Sequence, residues 1–109
     1  WLASAWDQNA GMYVQSPAAS VIEETAAGWL LQLLGFSPDA GIGFVTGATM
    51  ANFTGLAAGR HELLRRVGWD VEQDGLQGAP RLRVRAGAEA HATVLAALRL
   101  LGLGSRGVC

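Results

Sequence analysis

Two short stretches of this sequence hold residues whose types and spacing suit chemistry. The first is Thr46-Gly47-Ala48-Thr49. Small residues there let a ligand approach the backbone closely. If a helix begins at this point, its first amides face outward and its dipole favours an anion such as a phosphate. The Thr49 hydroxyl could cap the helix or bond a phosphate oxygen. An ordinary capped turn accounts for the same residues, because small-residue turns of this kind are common. A Walker loop is excluded, since the Gly-Lys-Ser/Thr ending is missing.

The second stretch is Gly87-Ala88-Glu89-Ala90-His91-Ala92-Thr93. His91 falls after an alternating run and at the start of an apolar-periodic one, among small residues that clear space around a ring. A partly exposed histidine near a helix start is the plainer account of the same position. His61 lies on the polar side of a helix, and solvent exposure explains it without a role. No metal site is expected, because the two histidines are far apart and Cys109 has no companion. Arg81, Arg83 and Arg85 could form an anion patch, but their alternation along an extended run fits a solvated face better.

The elements that must position these residues can be read from periodicity. Ser16-Pro17 is a helix start, with Ser as N-cap and Pro in the first turn. Ile22, Ala26, Trp29, Leu30, Leu33 and Leu34 then mark one apolar face, and Gly35 is the natural stop. The spacing therefore predicts a helix over 16–35, ended by a turn at Ser37-Pro38-Asp39. Residues 41–47 read as a short buried strand entering a glycine turn. A second helix is expected over 49–66, with Phe53, Leu56, Ala57, Leu63 and Leu64 inward. Residues 68–80 read as one long loop containing Trp69. Arg81-Leu82-Arg83-Val84-Arg85 alternates as a half-exposed strand does. A third helix over roughly 91–101 buries Val94, Leu95, Leu98 and Leu101, and residues 102–109 form a glycine-rich link toward a further strand. Before the first helix, residues 1–15 show no period and hold a turn at Asn9-Ala10-Gly11. Trp1 and Trp6 there are candidates for a partner surface. Strands alternating with helices predict an α/β layered fold.

Composition bounds the answer. The chain has 109 residues, half of them apolar and 16% charged, so it requires a buried core rather than a disordered ensemble. A net charge of −1 points to neither nucleic acid nor an anionic membrane. All eight positive side chains are arginines, and there is no lysine. A single cysteine cannot form an intrachain disulfide, which makes a reducing, cytoplasmic setting the default. No apolar run approaches the roughly 20 residues of a membrane span, and the start has no signal-peptide pattern. The chain reads as a fragment, cut at both ends.

Ser16-Pro17-Ala18-Ala19, with the Glu23-Glu24 helix ending Gly28-Trp29-Leu30, resembles the opening of the large domain in group II pyridoxal-phosphate-dependent amino-acid decarboxylases. Phe44-Val45-Thr46-Gly47-Ala48-Thr49-Met50-Ala51-Asn52 is similar to their Ser-Gly-Gly-Thr-Glu-Ala-Asn turn, and Leu56-Ala57-Ala58-Gly59-Arg60 continues it. Glu89-Ala90-His91-Ala92-Thr93 resembles the segment whose histidine stacks on the pyridine ring. The three segments stand in the family's order and cover nearly the whole chain. Met50 departs from a frequent glutamate. Ala88 and Ala92 replace polar residues beside the histidine, which leaves the substrate class open.

The resemblance implies the aspartate-aminotransferase-like fold of type I enzymes, of which residues 1–109 would be an incomplete N-terminal part of the cofactor-binding large domain. It implies pyridoxal 5'-phosphate as cofactor, with Gly47, Ala48 and Thr49 at the phosphate and His91 on the ring. Residues 8–14 match a stretch near the substrate pocket. It further implies a small amino-acid substrate, aromatic or related, and a homodimeric complete protein. Another type I lyase and a non-catalytic binding remnant are the competing readings. The family's ring-nitrogen aspartate and cofactor-binding lysine come later in sequence. Because the 109 residues contain no lysine, the chain alone is expected to be inactive. Incubation with pyridoxal phosphate followed by borohydride should leave no phosphopyridoxyl group on any side chain, as read by intact mass and peptide mapping.

Overall fold

A computed structural model describes residues 11–106 and residue 108. The chain divides into two compact units, Trp1–Phe44 and Val45–Cys109. Trp1, Trp6, most of the turn expected at Asn9-Ala10-Gly11, and Cys109 lie outside the described residues.

The first unit is built on helix α1, Pro17–Leu34. Ser16 occupies the N-cap position, where its carbonyl accepts from the Ser20 amide at 3.1 Å. Its hydroxyl does not cap the helix. Pro17 presets the first turn, having no N–H to leave unbonded. The far end closes in a left-handed turn at Gly35, φ 69°. There the Gly35 amide donates to the Gln32 carbonyl and the Phe36 amide to the Leu31 carbonyl, at 3.2 and 2.9 Å. Any other side chain at Gly35 would be strained in that conformation. The expected helix forms, but its apolar face is open: Trp29 is 69% exposed and Leu33 81%.

The second unit holds α2 (Ala48–Arg66), α3 (Val71–Asp74) and α4 (Ala92–Leu100). Its core is Leu64, Val71, Ala97, Leu98 and Leu101. Two side-chain hydrogen bonds tie α2 to α4: Asn52 Nδ2 donates to Thr93 Oγ1 at 3.0 Å, and an Arg60 Nη donates to the Leu101 carbonyl at 3.1 Å. Both span 41 residues, so the helices run in the same direction and in register. The Arg60 guanidinium also meets the negative end of the α4 dipole. Lower on α2, Glu62 accepts from Arg65 and Arg66. Those hydrogen bonds, Arg65 first, hold its carboxyl at about 2 instead of the ordinary 4.5.

Two sequence expectations are corrected here. The α/β assignment fails, because the described residues form helices and no strand. Residues 41–45 carry no ladder, and residues 81–85 have one isolated parallel bridge, Val84 to Val108. The alternation itself is present: Arg81, Arg83 and Arg85 are exposed, while Leu82 and Val84 are half-buried. Alternation creates two faces, but a strand exists only when a neighbour supplies its hydrogen bonds. The aspartate-aminotransferase-like architecture expected from the resemblance is therefore not what these residues form.

The long loop is also interrupted. Asp70 accepts from the Glu72 and Gln73 amides at 3.0 and 3.3 Å, which caps the one-turn helix α3. Trp69 Nε1 donates to the Gly75 carbonyl at 2.8 Å across it, and Val71 reaches the core. Asp70 is a strong N-cap residue type, so the sequence carried this signal.

Core and surface leucines should separate cleanly under mutation. Leu98 is fully buried, and Leu98→Ala is expected to lower stability by about 2–5 kcal/mol in urea unfolding. Leu33→Ala on the open face of α1 should change it by less than about 0.5 kcal/mol.

Candidate functional site

At the head of α2 the backbone is laid out as an anion cradle requires. Gly47 is the N-cap, and Ala51 supplies the first amide bonded to it, donating to the Gly47 carbonyl at 3.0 Å. The amides of Ala48, Thr49 and Met50 lie in the helix's first turn, where no intrahelical carbonyl is available to them. These residues open on a cavity of about 570 Å³, lined by Thr46, Gly47, Ala48, Thr49, Met50, Phe53 and Leu100. A Cβ built on Gly47 would meet nothing within 4 Å, so the approach to the turn is clear. The Thr49 side chain does not cap the helix.

His91 is the N-cap of α4. Its Nδ1 accepts from the Thr93 amide at 3.3 Å and lies 3.0 Å from Thr93 Oγ1. A backbone N–H can only donate, so Nδ1 must present a lone pair. A neutral ring then carries its hydrogen on Nε2. The imidazole is exposed.

The register of α2 on α4 sets where these two segments lie. Asn52 is five residues beyond Gly47 and its partner Thr93 is two beyond His91. At ~1.5 Å per residue the two N-caps differ by only about 4–5 Å along the helix axes. Both face the same end of the pair. His91 is not among the residues lining the 570 Å³ cavity, so the structure brings the segments to one end without merging them in one pocket.

Three relatives align with this chain from end to end or nearly so. The acidic amino acid decarboxylase of Homo sapiens is 27% identical over 109 residues, covering 100% of this chain and 20% of the relative. The L-2,4-diaminobutyrate decarboxylase of Acinetobacter baumannii is 28% identical over 117 residues, 98% of this chain and 23% of the relative. Tryptophan decarboxylase 1 of Oryza sativa subsp. japonica is 35% identical over 112 residues, 93% and 21% respectively. The chain's relatives are amino-acid decarboxylases. They are the family that the three sequence segments resemble, and the chain spans about a fifth of their length. No family model matches the chain, and no solved structure matches it significantly.

Both segments singled out from the sequence thus lie in a decarboxylase-like stretch and at one end of one helix pair. The residues that sequence reasoning passed over are Asn52 and Thr93. Both stood inside the decarboxylase-like segments, yet neither was given a role. A hydrogen bond 41 residues long leaves no periodic trace. His61 has a partner on α3, Glu72 Oε1 at 3.5 Å, which fits a surface contact. Of residues 8–14, 8–10 lie outside the described residues, and Met12, Tyr13 and Val14 are exposed.

A second cavity, of about 900 Å³, gathers Arg81, Arg83 and Arg85 with Arg99 and Arg106. It shares no residue with the turn at Gly47. Among the described residues no group of three potential metal ligands comes together, and no helix is long and apolar enough to cross a membrane.

Proposed function

We propose that this chain forms part of a pyridoxal-phosphate-dependent amino-acid decarboxylase. In this reading Gly47, Ala48 and Thr49 hold the cofactor phosphate and His91 lies against the pyridine ring. The carrying observation is that the decarboxylase-like turn is a helix N-terminus whose residues line a cavity, with open space over Gly47. The residues fit the group: backbone amides and a hydroxyl for a dianion, and a flat ring for a flat ring.

When bound, pyridoxal phosphate supplies an electron sink for the charge left at Cα as carbon dioxide departs. The chain's own residues do the holding. Ala48 and Thr49 amides donate to phosphate oxygens, and the dipole of α2 adds to that attraction. His91 presents a face for stacking. With Nδ1 engaged by Thr93, its Nε2–H is the position able to donate to a substrate carboxylate or move a proton there. The lysine that bonds the cofactor is not among these 109 residues.

An amino-acid substrate is proposed on the names of the relatives. An aromatic or related one follows from the resemblance alone, since the relatives are named for acidic, diamino and aromatic substrates. The assignment of residues 1–15, 16–35, 46–49 and 87–93 to a cofactor-binding domain rests on the same resemblance. So does homodimer formation, whereas the proposed cytoplasmic location rests on the single cysteine.

Three variants of the complete protein test the site. Thr49→Val removes one hydrogen bond to a charged group, a loss of roughly 1.5–3 kcal/mol, or about 10- to 150-fold in cofactor affinity. Turnover at saturating cofactor should fall much less. Unchanged affinity would place the phosphate elsewhere.

His91→Phe keeps an aromatic face, and His91→Ala removes it. Phenylalanine should retain most of the cofactor affinity that alanine loses, with slower turnover if Nε2–H takes part in proton transfer. Parental behaviour in both variants would make the histidine a helix cap and nothing more.

A further inference from the structure

We propose that Asn52 and Thr93 are positioning residues that fix the tautomer and ring plane of His91. The inference rests on the reading above only in assigning the ring to the cofactor; the hydrogen-bond chain stands by itself.

The chain runs Asn52 Nδ2 to Thr93 Oγ1 at 3.0 Å, and Thr93 Oγ1 to His91 Nδ1 at 3.0 Å. A threonine hydroxyl has one hydrogen. While it accepts from the Asn52 amide, that hydrogen is directed to the histidine nitrogen beside it. The Thr93 backbone N–H, 3.3 Å from the same nitrogen, sets the direction of the whole relay because it cannot accept. Nδ1 thus receives two hydrogens from one residue, and the ring hydrogen is left on Nε2, facing outward.

Position matters as much as direction. Asn52 is half-buried on α2, one turn past the phosphate-type turn, while Thr93 and His91 open α4. The relay therefore ties the ring to the helix that carries Gly47, Ala48 and Thr49. A ring held only by its own backbone would be free to rotate about its side-chain torsions. Outer partners of this sort commonly change activity by roughly 10- to 100-fold at functional histidines, as documented for metal sites.

Asn52→Asp tests this with almost no change of shape. The carboxylate accepts where the amide donated, so the Thr93 hydroxyl turns toward residue 52 and leaves His91 Nδ1 with the backbone amide alone. Thr93→Val removes the hydroxyl, and Thr93→Ser restores it. The readout is long-range proton–nitrogen NMR on histidine-labelled protein without cofactor at about pH 8, with His61 as internal control. In the parent, and in Thr93→Ser, His91 is expected wholly as the Nε2–H tautomer. With only the longer, 3.3 Å backbone contact left to hold it, the ring can turn away from the Thr93 amide, so Asn52→Asp and Thr93→Val are expected to show a measurable Nδ1–H population, while His61 stays unchanged. Parental tautomer signals in both variants overturn the relay.

A second measurement separates this from the functional reading. Where the tautomer shifts, turnover should fall by about 10-fold with cofactor affinity changed less. A shifted tautomer with parental turnover, together with a silent His91→Phe, leaves the relay standing and removes the ring from the site.

Discussion

Two helices that run in the same direction are held in register only by contacts along their length. Here those contacts are Asn52 to Thr93 at one end and Arg60 to Leu101 at the other. Between them sit Ala97 and Leu98, with Leu64 and Leu101 closing the core below. Everything of interest about the second unit depends on that pairing. It brings the heads of α2 and α4, with Gly47 and His91, to one end of the pair. The opposite end receives a cation, Arg60, where the carbonyls of α4 run out. Sliding α4 by one turn would break both hydrogen bonds and carry His91 about 5 Å from its present level.

The helices were legible because their signals are local. Pro17 and Gly35 delimit α1 within a residue of the expected bounds. The apolar spacing found Leu64, Leu98 and Leu101, though it also placed Leu63 inward, which is 52% exposed. The strands were misread for the opposite reason. Residues 81–85 do alternate, but whether an alternating segment becomes a strand is decided by a partner, and among the described residues only Val108 meets it. The candidate site was half legible. Its small residues and its histidine stand out by type and place, whereas Asn52 and Thr93 acquire meaning only through the fold. The arginines tell a similar story: three were visible in the sequence as a run, and the cavity adds Arg99 and Arg106 from elsewhere.

The common direction of α2 and α4 also governs how the second unit can be made. Antiparallel helices joined by a short turn meet early, because their first contacts are close in sequence. Here the chain must leave the foot of α2, travel back through α3 and the extended residues 80–85, and only then start α4. Each contact that aligns the pair spans 41 residues. The entropy of closing that loop is spent before Leu64 and Leu98 gain any burial. The unit is thus a small helical assembly with the folding problem of a β-rich one. Its rate is set by the return path, not by how readily its helices form.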